Sequence, residues 1–186
     1  MSDAIALHMA VTDSLGSLGL RTASADEVWR GRLLASRLIG PDIASPECLC
    51  EVQQHAGLSI FAYLEAGELT GIFAFLLLNP AGRAALLADA FDGRNPRLDF
   101  LSTRGETPSA YYGWGFAGST RPARSALVAG ADRLRQVLPR LPFYCHAATP
   151  AGRRAVTEKL GYVDVPGSRS GLLWSPPLDC SDWRAT

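Results

Sequence analysis

His146 is the side chain whose type and position best suit it to acid–base chemistry. Histidine titrates near neutrality, so it can accept a proton at physiological pH. The run 142–148 has the composition of a short strand. It places His146 near the strand's carboxyl end, on the same face as Tyr144, because strand side chains alternate. We interpret His146 and Tyr144 as candidate catalytic residues; the alternative is a purely structural strand histidine.

Arginines at a predicted helix start form the second feature with chemical potential. Every basic residue except Lys159 is an arginine, and guanidinium groups favour bidentate contacts with phosphate or carboxylate. Arg121 and Arg124 lie where a helix over 122–138 should begin, and unpaired N–H groups and the helix dipole attract anions there. The pattern predicts either an anion site or the solvated first turn of an amphipathic helix.

Two glycines interrupt the strand predicted over 110–117. Glycine weakens a strand interior, so Gly113 and Gly115 indicate a β-bulge or the close approach of a ligand to the backbone. The alternative is that they make room in the core for the rings of Tyr112 or Trp114.

The composition is that of a globular protein without a nucleic-acid or membrane surface. Hydrophobic residues make up 47% of the 186 residues, and eighteen Lys plus Arg balance eighteen Asp plus Glu. This balance leaves no large positive field for nucleic acid. No apolar run reaches the ~20 residues of a membrane span, and the first residues lack the pattern of an export signal. We expect one cytoplasmic domain over 1–186.

The cysteines predict neither a metal site nor a disulfide framework. Cys48, Cys50, Cys145 and Cys180 match no metal-ligand spacing, and the first two point to different faces of a predicted helix. We expect buried free thiols in a reducing compartment and no metal.

Local signals place the helices and strands. A capping residue followed by proline predicts helix starts at Ser45-Pro46, Asn79-Pro80, Asn95-Pro96 and Thr149-Pro150. A capping box from Ser24 to Glu27 starts a helix that runs to residue 39. Strand formers joined by Glu65-Ala66-Gly67-Glu68 predict a hairpin over 58–78. Further helices are predicted over 80–91, 122–138 and 150–160, and further strands over 110–117, 142–148, 162–165 and 170–174.

This order predicts an α+β or mixed α/β fold. An antiparallel first half precedes strand–helix–strand units, so we expect a mixed sheet of about six or seven strands flanked by about four helices. Residues 1–16 would form an N-terminal extension, 79–109 a helical insertion between the third and fourth strands, and 176–186 a tail. Ligands in such sheets bind where neighbouring strands separate at their carboxyl ends. The separating parallel pair would be 110–117 and 142–148.

Three stretches resemble the GNAT superfamily of acyl-CoA-dependent N-acyltransferases. They are Leu20 to Ala23 with Asp26, Tyr111 to Arg135, and Tyr144 to Asp164, which includes Ala148-Thr149-Pro150-Ala151-Gly152-Arg153-Arg154 and Glu158-Lys159-Leu160-Gly161-Tyr162-Val163. Together they span most of the chain between residues 17 and 175. The resemblance implies the GNAT fold, with CoA bound at the splayed strand pair.

In this family the CoA pyrophosphate binds a loop of pattern Q/R-x-x-G-x-G/A. Arg121 to Ala126 match its first and last positions, with Arg124 in place of the middle glycine. The resemblance implies cofactor-binding roles that are shared by this loop and the end of the preceding strand, namely for Phe116, Ala117, Gly118, Arg121, Ala123, Arg124, Ser125 and Ala126. Either the two arginines replace part of the backbone cradle, or the loop no longer binds CoA.

The resemblance also suggests a mechanism. The amides of Phe116 and Ala117 would receive the acyl carbonyl as an oxyanion hole does, and His146 would accept a proton from the attacking amine. The family's tyrosine acid is replaced by Thr157, a much weaker acid, and Thr149-Pro150 replaces the usual asparagine. Charged residues of the insertion would line an acceptor pocket or a solvated surface; they are Asp89, Asp92, Arg94, Arg97, Asp99 and Arg104.

The implied function is the transfer of an acyl group, in particular acetyl, from acetyl-CoA or another acyl-CoA to a small-molecule or peptide amine. No nucleic-acid or membrane partner is expected, and a homodimer is compatible with the sequence. The alternatives are a noncatalytic acyl-CoA-binding or regulatory domain, and a structural or oligomerisation module in which Arg124 has closed the cofactor site.

Overall fold

A seven-stranded mixed sheet lies at the centre of the computed structural model, which describes residues 3–178. Its strands are β1 (Leu20–Thr22), β2 (Ile60–Glu65), β3 (Glu68–Leu78), β4 (Ala110–Gly118), β5 (Phe143–Cys145), β6 (Val163–Asp164) and β7 (Leu173–Ser175). Across the sheet they lie in the order β1-β2-β3-β4-β5-β7-β6. Within this described sheet only β4 and β5 pair in parallel. The predicted fold class is confirmed.

Six α-helices of the described residues cover the two faces of the sheet. They are α1 (Asp3–Gly16), α2 (Ala25–Ile39), α3 (Pro46–Ala56), α4 (Pro80–Leu87), α5 (Arg121–Val137) and α6 (Pro150–Arg154). A 3₁₀ turn spans Leu98–Phe100, and a π turn, Ala155–Lys159, continues α6. The buried side chains of α1 and α5 share one core with one face of the sheet, and those of α2 pack on the opposite face.

Local chemistry starts the helices where the sequence predicts. The capping box is present: Glu27 N donates to Ser24 Oγ, and Ser24 N donates to Glu27 Oε2. The predicted start at Asn95-Pro96 is wrong. Instead, the Asn79 side chain donates to the carbonyl of Asp99 and its backbone N–H donates to that of Phe100, which ties this segment to the end of β3 and leaves only the 3₁₀ turn.

The β2–β3 hairpin forms at the predicted place. Ala66 and Gly67, with φ of 50° and 85°, make its two-residue turn, and left-handed central residues match the twist of the paired strands. Its long second strand supplies the fully buried Phe73 and Phe75.

Residues 1–16, assigned to an extension on sequence grounds, include the helix α1. Val11 and Leu15 of this helix are fully buried against the core shared with α5. In the segment 79–109, α4 and the 3₁₀ turn lie between β3 and β4. The predicted tail is described only as far as Leu178, whose N–H donates to the Pro139 carbonyl.

Three of the four cysteines fall within the described residues, and all three are free thiols: Cys48, Cys50 and Cys145. Burial raises the pKa of Cys145 to about 12. Cys180 lies outside the described residues. Within residues 3–178 there is no cluster of metal-ligating side chains and no helix long and apolar enough to span a membrane.

Candidate active site

The sheet opens between β4 and β5. The parallel pairing runs through Tyr112 with Tyr144 and ends at Gly113 with Cys145, while β4 continues to Gly118. The strand predicted over 142–148 is therefore shorter than expected. It stops because the chain turns away toward the Thr149 cap of α6. His146 follows the last paired residue and lies at the mouth of the gap.

A β-bulge distorts β4 beside this gap, as the two glycines predicted. Gly113 lies opposite Phe75 and Gly115 lies opposite Ala74, so Trp114 is the extra residue. The bulge interrupts the alternation of side chains. Trp114 packs on the α2 side, while the Phe116 ring stacks on Phe73 on the α5 side, with centroids 4.4 Å apart.

The backbone of β4 presents unpaired amides to the gap. Ser119 N donates to the Thr70 carbonyl of the neighbouring chain segment, and antiparallel strands direct alternate amides to the partner. By this alternation the amides of Phe116 and Gly118 face the gap. The Phe116 amide is thus oriented to donate a hydrogen bond to a carbonyl in the gap, whereas the Ala117 amide is directed at β3. This orientation corrects the expected role of Ala117.

The start of α5 offers fewer free amides than the sequence suggests. Thr120 caps the helix, and its Oγ1 accepts the Ala123 N–H at 3.1 Å. Pro122 has no N–H, and the amides of Ser125 and Ala126 lie beyond the helix's first turn, where intrahelical acceptors are available. Ala123, Ser125 and Ala126 are therefore not available as backbone donors. Among the backbone amides of the described first turn, that of Arg121 remains free to bind an anion.

Two exposed arginines lie at this helix start. Arg124 is exposed and lies across the end of β4, with Nη1 3.5 Å from the Gly118 carbonyl and 3.4 Å from that of Ser119. Arg121 is exposed at the same helix start. A carboxylate opposes them: Glu65 accepts a hydrogen bond from Thr120, and hydrogen bonds from threonines lower its pKa. The side-chain charges at this helix start are thus two guanidinium groups and one carboxylate.

A chain of four polar side chains runs through His146. The Tyr112 hydroxyl is 3.0 Å from His146 Nδ1, and the Ser170 hydroxyl is 3.0 Å from Nε2. Ser170 in turn donates to the carboxylate of Asp89, which also accepts the Arg169 N–H at 3.1 Å. The β4 strand, the loop after β5, the β6–β7 loop and the end of α4 each supply one member.

These hydrogen bonds determine which ring nitrogen of the neutral His146 carries the hydrogen. An ionised carboxylate only accepts, so the single Ser170 proton goes to Asp89 and the Ser170 oxygen accepts from His146 Nε2–H. Nδ1 then carries the lone pair and accepts the hydrogen of the Tyr112 hydroxyl. The Tyr112 hydroxyl is therefore the hydrogen-bond donor to Nδ1.

Burial and a neighbouring charge shift the pKa of His146 in opposite directions. Desolvation lowers the pKa of His146, and the charge of Asp89 raises it, with a net lowering. Although the residue is exposed as a whole, its ring nitrogens are covered by Tyr112 and Ser170. The neutral imidazole is thereby favoured near pH 7, and it is the form that accepts a proton. Burial raises the pKa of Tyr112 well above its ordinary value, so its hydroxyl stays protonated.

The other predicted site residues lie apart from the hydrogen-bonded side chains around His146. Tyr144 shares a face with His146, but its ring stacks on Trp174 with centroids 6.4 Å apart. Thr157 donates to the Arg153 carbonyl of its own helix and offers no acid. Of the charged residues in the insertion, Asp89 belongs to the hydrogen-bonded side chains around His146, whereas Arg97 pairs with Asp99.

The remaining charges of the insertion also lie elsewhere. Arg94 pairs with Asp42 and Asp92, and Arg104 packs at Gly57.

Tyr112 and Ser170 were not predicted as site residues. Tyr112 had a signal: strand alternation and the predicted pairing of β4 with β5 bring it beside Tyr144 and onto the face of His146. Ser170 had none, because its position depends on how the loop after β6 folds back toward α4.

The comparisons with known proteins add no residue roles. No protein-family model matches the sequence, and no curated protein matches it. Among solved structures, the chain is similar to a crystal structure described as a histone acetyltransferase HPA2 and related acetyltransferase from Corynebacterium glutamicum. The two are 16% identical over 85% of this chain and 95% of that one, with a TM-score of 0.47. At this distance no residue role is transferred.

Proposed function

We propose that this chain is an acyl-CoA-dependent N-acyltransferase acting in the gap between β4 and β5. The observation that carries the proposal is the meeting of two features at one opening: the unpaired Phe116 amide on β4, and the polar chain that holds a neutral His146 at the end of β5. The first suits a developing oxyanion, and the second suits a proton acceptor.

The donor would lie along β4 with its diphosphate at the start of α5. Arg121 and Arg124 would bind the diphosphate through charge-assisted hydrogen bonds, helped by the Arg121 amide. Glu65, bonded to Thr120, sets a limit on how closely an anion approaches the helix. The carbonyl oxygen of the thioester would accept the Phe116 N–H.

The transfer itself forms a C–N bond and breaks the C–S bond. The amine nitrogen attacks the carbonyl carbon, its proton passes through the Tyr112 oxygen to His146 Nδ1, and the electrons of the C–S bond leave with the sulfur. The proton held by His146 balances the one that the thiolate finally takes up. Thr157 is not the acid, because its hydroxyl is bonded within its own helix.

The proposed acceptor is a small-molecule or peptide amine that enters the gap beside the joined Asp89 and β6–β7 loop. Asp89 brings a negative charge to this side, which attracts a protonated amine; this amine releases one proton to water before its neutral nitrogen attacks. We also propose a reducing cytoplasm as the location, in keeping with the free thiols Cys48, Cys50 and Cys145.

Calorimetry with acetyl-CoA, butyryl-CoA and free CoA tests the donor site, and thiol release with a panel of amines tests the transfer. His146→Ala should keep binding and lower turnover by about 100-fold, the effect of losing a general base. His8→Ala, on the helix α1, serves as the control and should leave both unchanged. No binding at millimolar ligand would refute the proposal, and unchanged turnover in His146→Ala would remove this residue from the mechanism.

A noncatalytic acyl-CoA-binding domain is the second candidate, favoured by Thr157 in place of the family's acid. It would bind CoA thioesters through Arg121 and Arg124, release no thiol with any amine, and bind equally well as His146→Ala. A double variant, Arg121→Ala with Arg124→Ala, should weaken binding in both cases and so tests the shared anion site.

A further inference from the structure

A small apolar cavity lies on the α2 side of the sheet, next to the bulge of β4. Its volume is about 50 Å³. It is partly open to solvent and is lined by α2, the α2–α3 loop, the start of α3, and strands β2 to β4. Its lining is made mainly of aliphatic side chains, among them Val28, Ala35, Ile43, Leu49, Ile72 and Ala74.

The charges around the cavity argue for an uncharged occupant. Among the described residues that line the cavity, Arg32 is the only charged one. Its guanidinium is engaged with the α2–α3 loop, to the Pro41 carbonyl at 3.3 Å and the Ala44 carbonyl at 3.4 Å. No carboxylate lines the cavity to balance an ammonium group. The protonated head of an acceptor amine is therefore poorly suited to it, and a hydrocarbon chain is well suited.

The position of the cavity connects it to the reacting carbonyl. Trp114 and Gly115 form part of its wall, and the next residue, Phe116, carries the amide that faces the gap. A side chain at Gly115 would meet nothing within 4 Å, so the backbone is open there. A group attached to a carbonyl held at the Phe116 amide can reach the cavity past Gly115.

We propose that this cavity binds the acyl chain of the donor and selects a chain longer than acetyl. This inference rests on the proposed acyltransferase function. A water-sized group needs about 10–15 Å³ of such a volume, so a cavity of about 50 Å³ holds about three to five carbon atoms beyond the carbonyl. The preferred donor is then a butyryl or similarly short apolar thioester rather than acetyl-CoA.

Binding of a thioester series by the full-length protein measures this selection. Each buried methylene strengthens binding about fourfold, so butyryl-CoA, with two more carbons than acetyl-CoA, should bind about 15-fold more tightly. Octanoyl-CoA exceeds the cavity and should lose part of that gain. Free CoA gives the reference without an acyl chain.

Filling the cavity should remove most of the preference for butyryl-CoA over acetyl-CoA. Ala35 lies in its wall and is 8% exposed, so Ala35→Leu should reduce the preference for butyryl-CoA to less than about threefold while acetyl-CoA binds as before. Ala74→Val, on the β3 side opposite Gly115, is the second variant in case the first does not fold. Ala129→Leu, exposed on α5, is the matched control and should keep the full preference.

The outcomes separate the two proposals. If neither CoA nor any thioester binds, the proposed function fails and the acyl site fails with it. If acetyl-CoA and butyryl-CoA bind equally tightly to the unmodified protein, or if Ala35→Leu and Ala74→Val retain the preference, only the acyl site is refuted.

Discussion

Replacing Tyr112 by phenylalanine removes the hydroxyl that meets His146 Nδ1 at 3.0 Å. The neighbouring tyrosine on the same strand is a matched control. Tyr111 is fully buried, and its hydroxyl has no hydrogen-bond partner among the described residues. The two variants delete the same atom from adjacent positions, so the difference between them isolates the contact with His146.

The expected difference in stability follows from that contact. Tyr112→Phe loses a hydrogen bond worth about 1 kcal/mol, whereas Tyr111→Phe removes an unsatisfied buried polar group and gains up to about 1 kcal/mol. The free energies of unfolding should therefore differ by about 2 kcal/mol. For a chain of this length, this corresponds to melting temperatures about 6 °C apart.

Activity should separate the two variants more strongly. In the proposed reaction the proton reaches His146 through the Tyr112 oxygen, so Tyr112→Phe should lower turnover by about 100-fold and leave the affinity for the thioester unchanged. Tyr111→Phe should retain activity. Thermal unfolding followed by circular dichroism gives the first comparison, and thiol release at saturating donor gives the second.

Equal melting temperatures would show that the Tyr112 hydroxyl contributes no more than the unpaired one. Full turnover in Tyr112→Phe would refute the proton path, even if the predicted difference in stability were found.

Two further changes test the electrostatics and the packing. Asp89→Asn removes the charge that raises the pKa of His146, so that pKa falls further, and the acidic limb of the kcat/KM profile should move to lower pH; a shift to higher pH would contradict the assignment. Gly82→Ala should destabilise the protein by about 1–3 kcal/mol despite alanine's better helix propensity, because the new Cβ would lie 2.2 Å from the Phe100 carbonyl oxygen. Gly16→Ala, which meets nothing within 4 Å, is its control in chemical denaturation and should be neutral or slightly stabilising.

Features that depend on neighbouring residues could be predicted from the sequence. The Ser24 capping box, the Thr149 cap and the Ala66-Gly67 turn all involve partners within a few positions, and each forms as expected. The bulge at Trp114 also had a local signal in the two flanking glycines. These elements, in their order along the chain, were sufficient to predict the mixed sheet.

Features that depend on distant contacts were predicted less well. The segment after Asn95 has a good helix start, but its backbone is tied to Asn79, and this contact outweighs the local preference. The first sixteen residues were assigned to an extension, but the helix α1 buries Val11 and Leu15 against the core shared with α5.

The sequence by itself determined that a histidine follows a short strand beside a glycine-interrupted one. It did not determine which groups bond to that histidine. Ser170 is 24 residues away from His146 and 81 from Asp89, and Tyr112 rather than Tyr144 meets Nδ1. Strand periodicity gives the face of each side chain, but the partner across the sheet depends on strand register and loop path. Only tertiary packing sets these, because a hydrogen bond forms over about 3 Å of space regardless of separation along the chain.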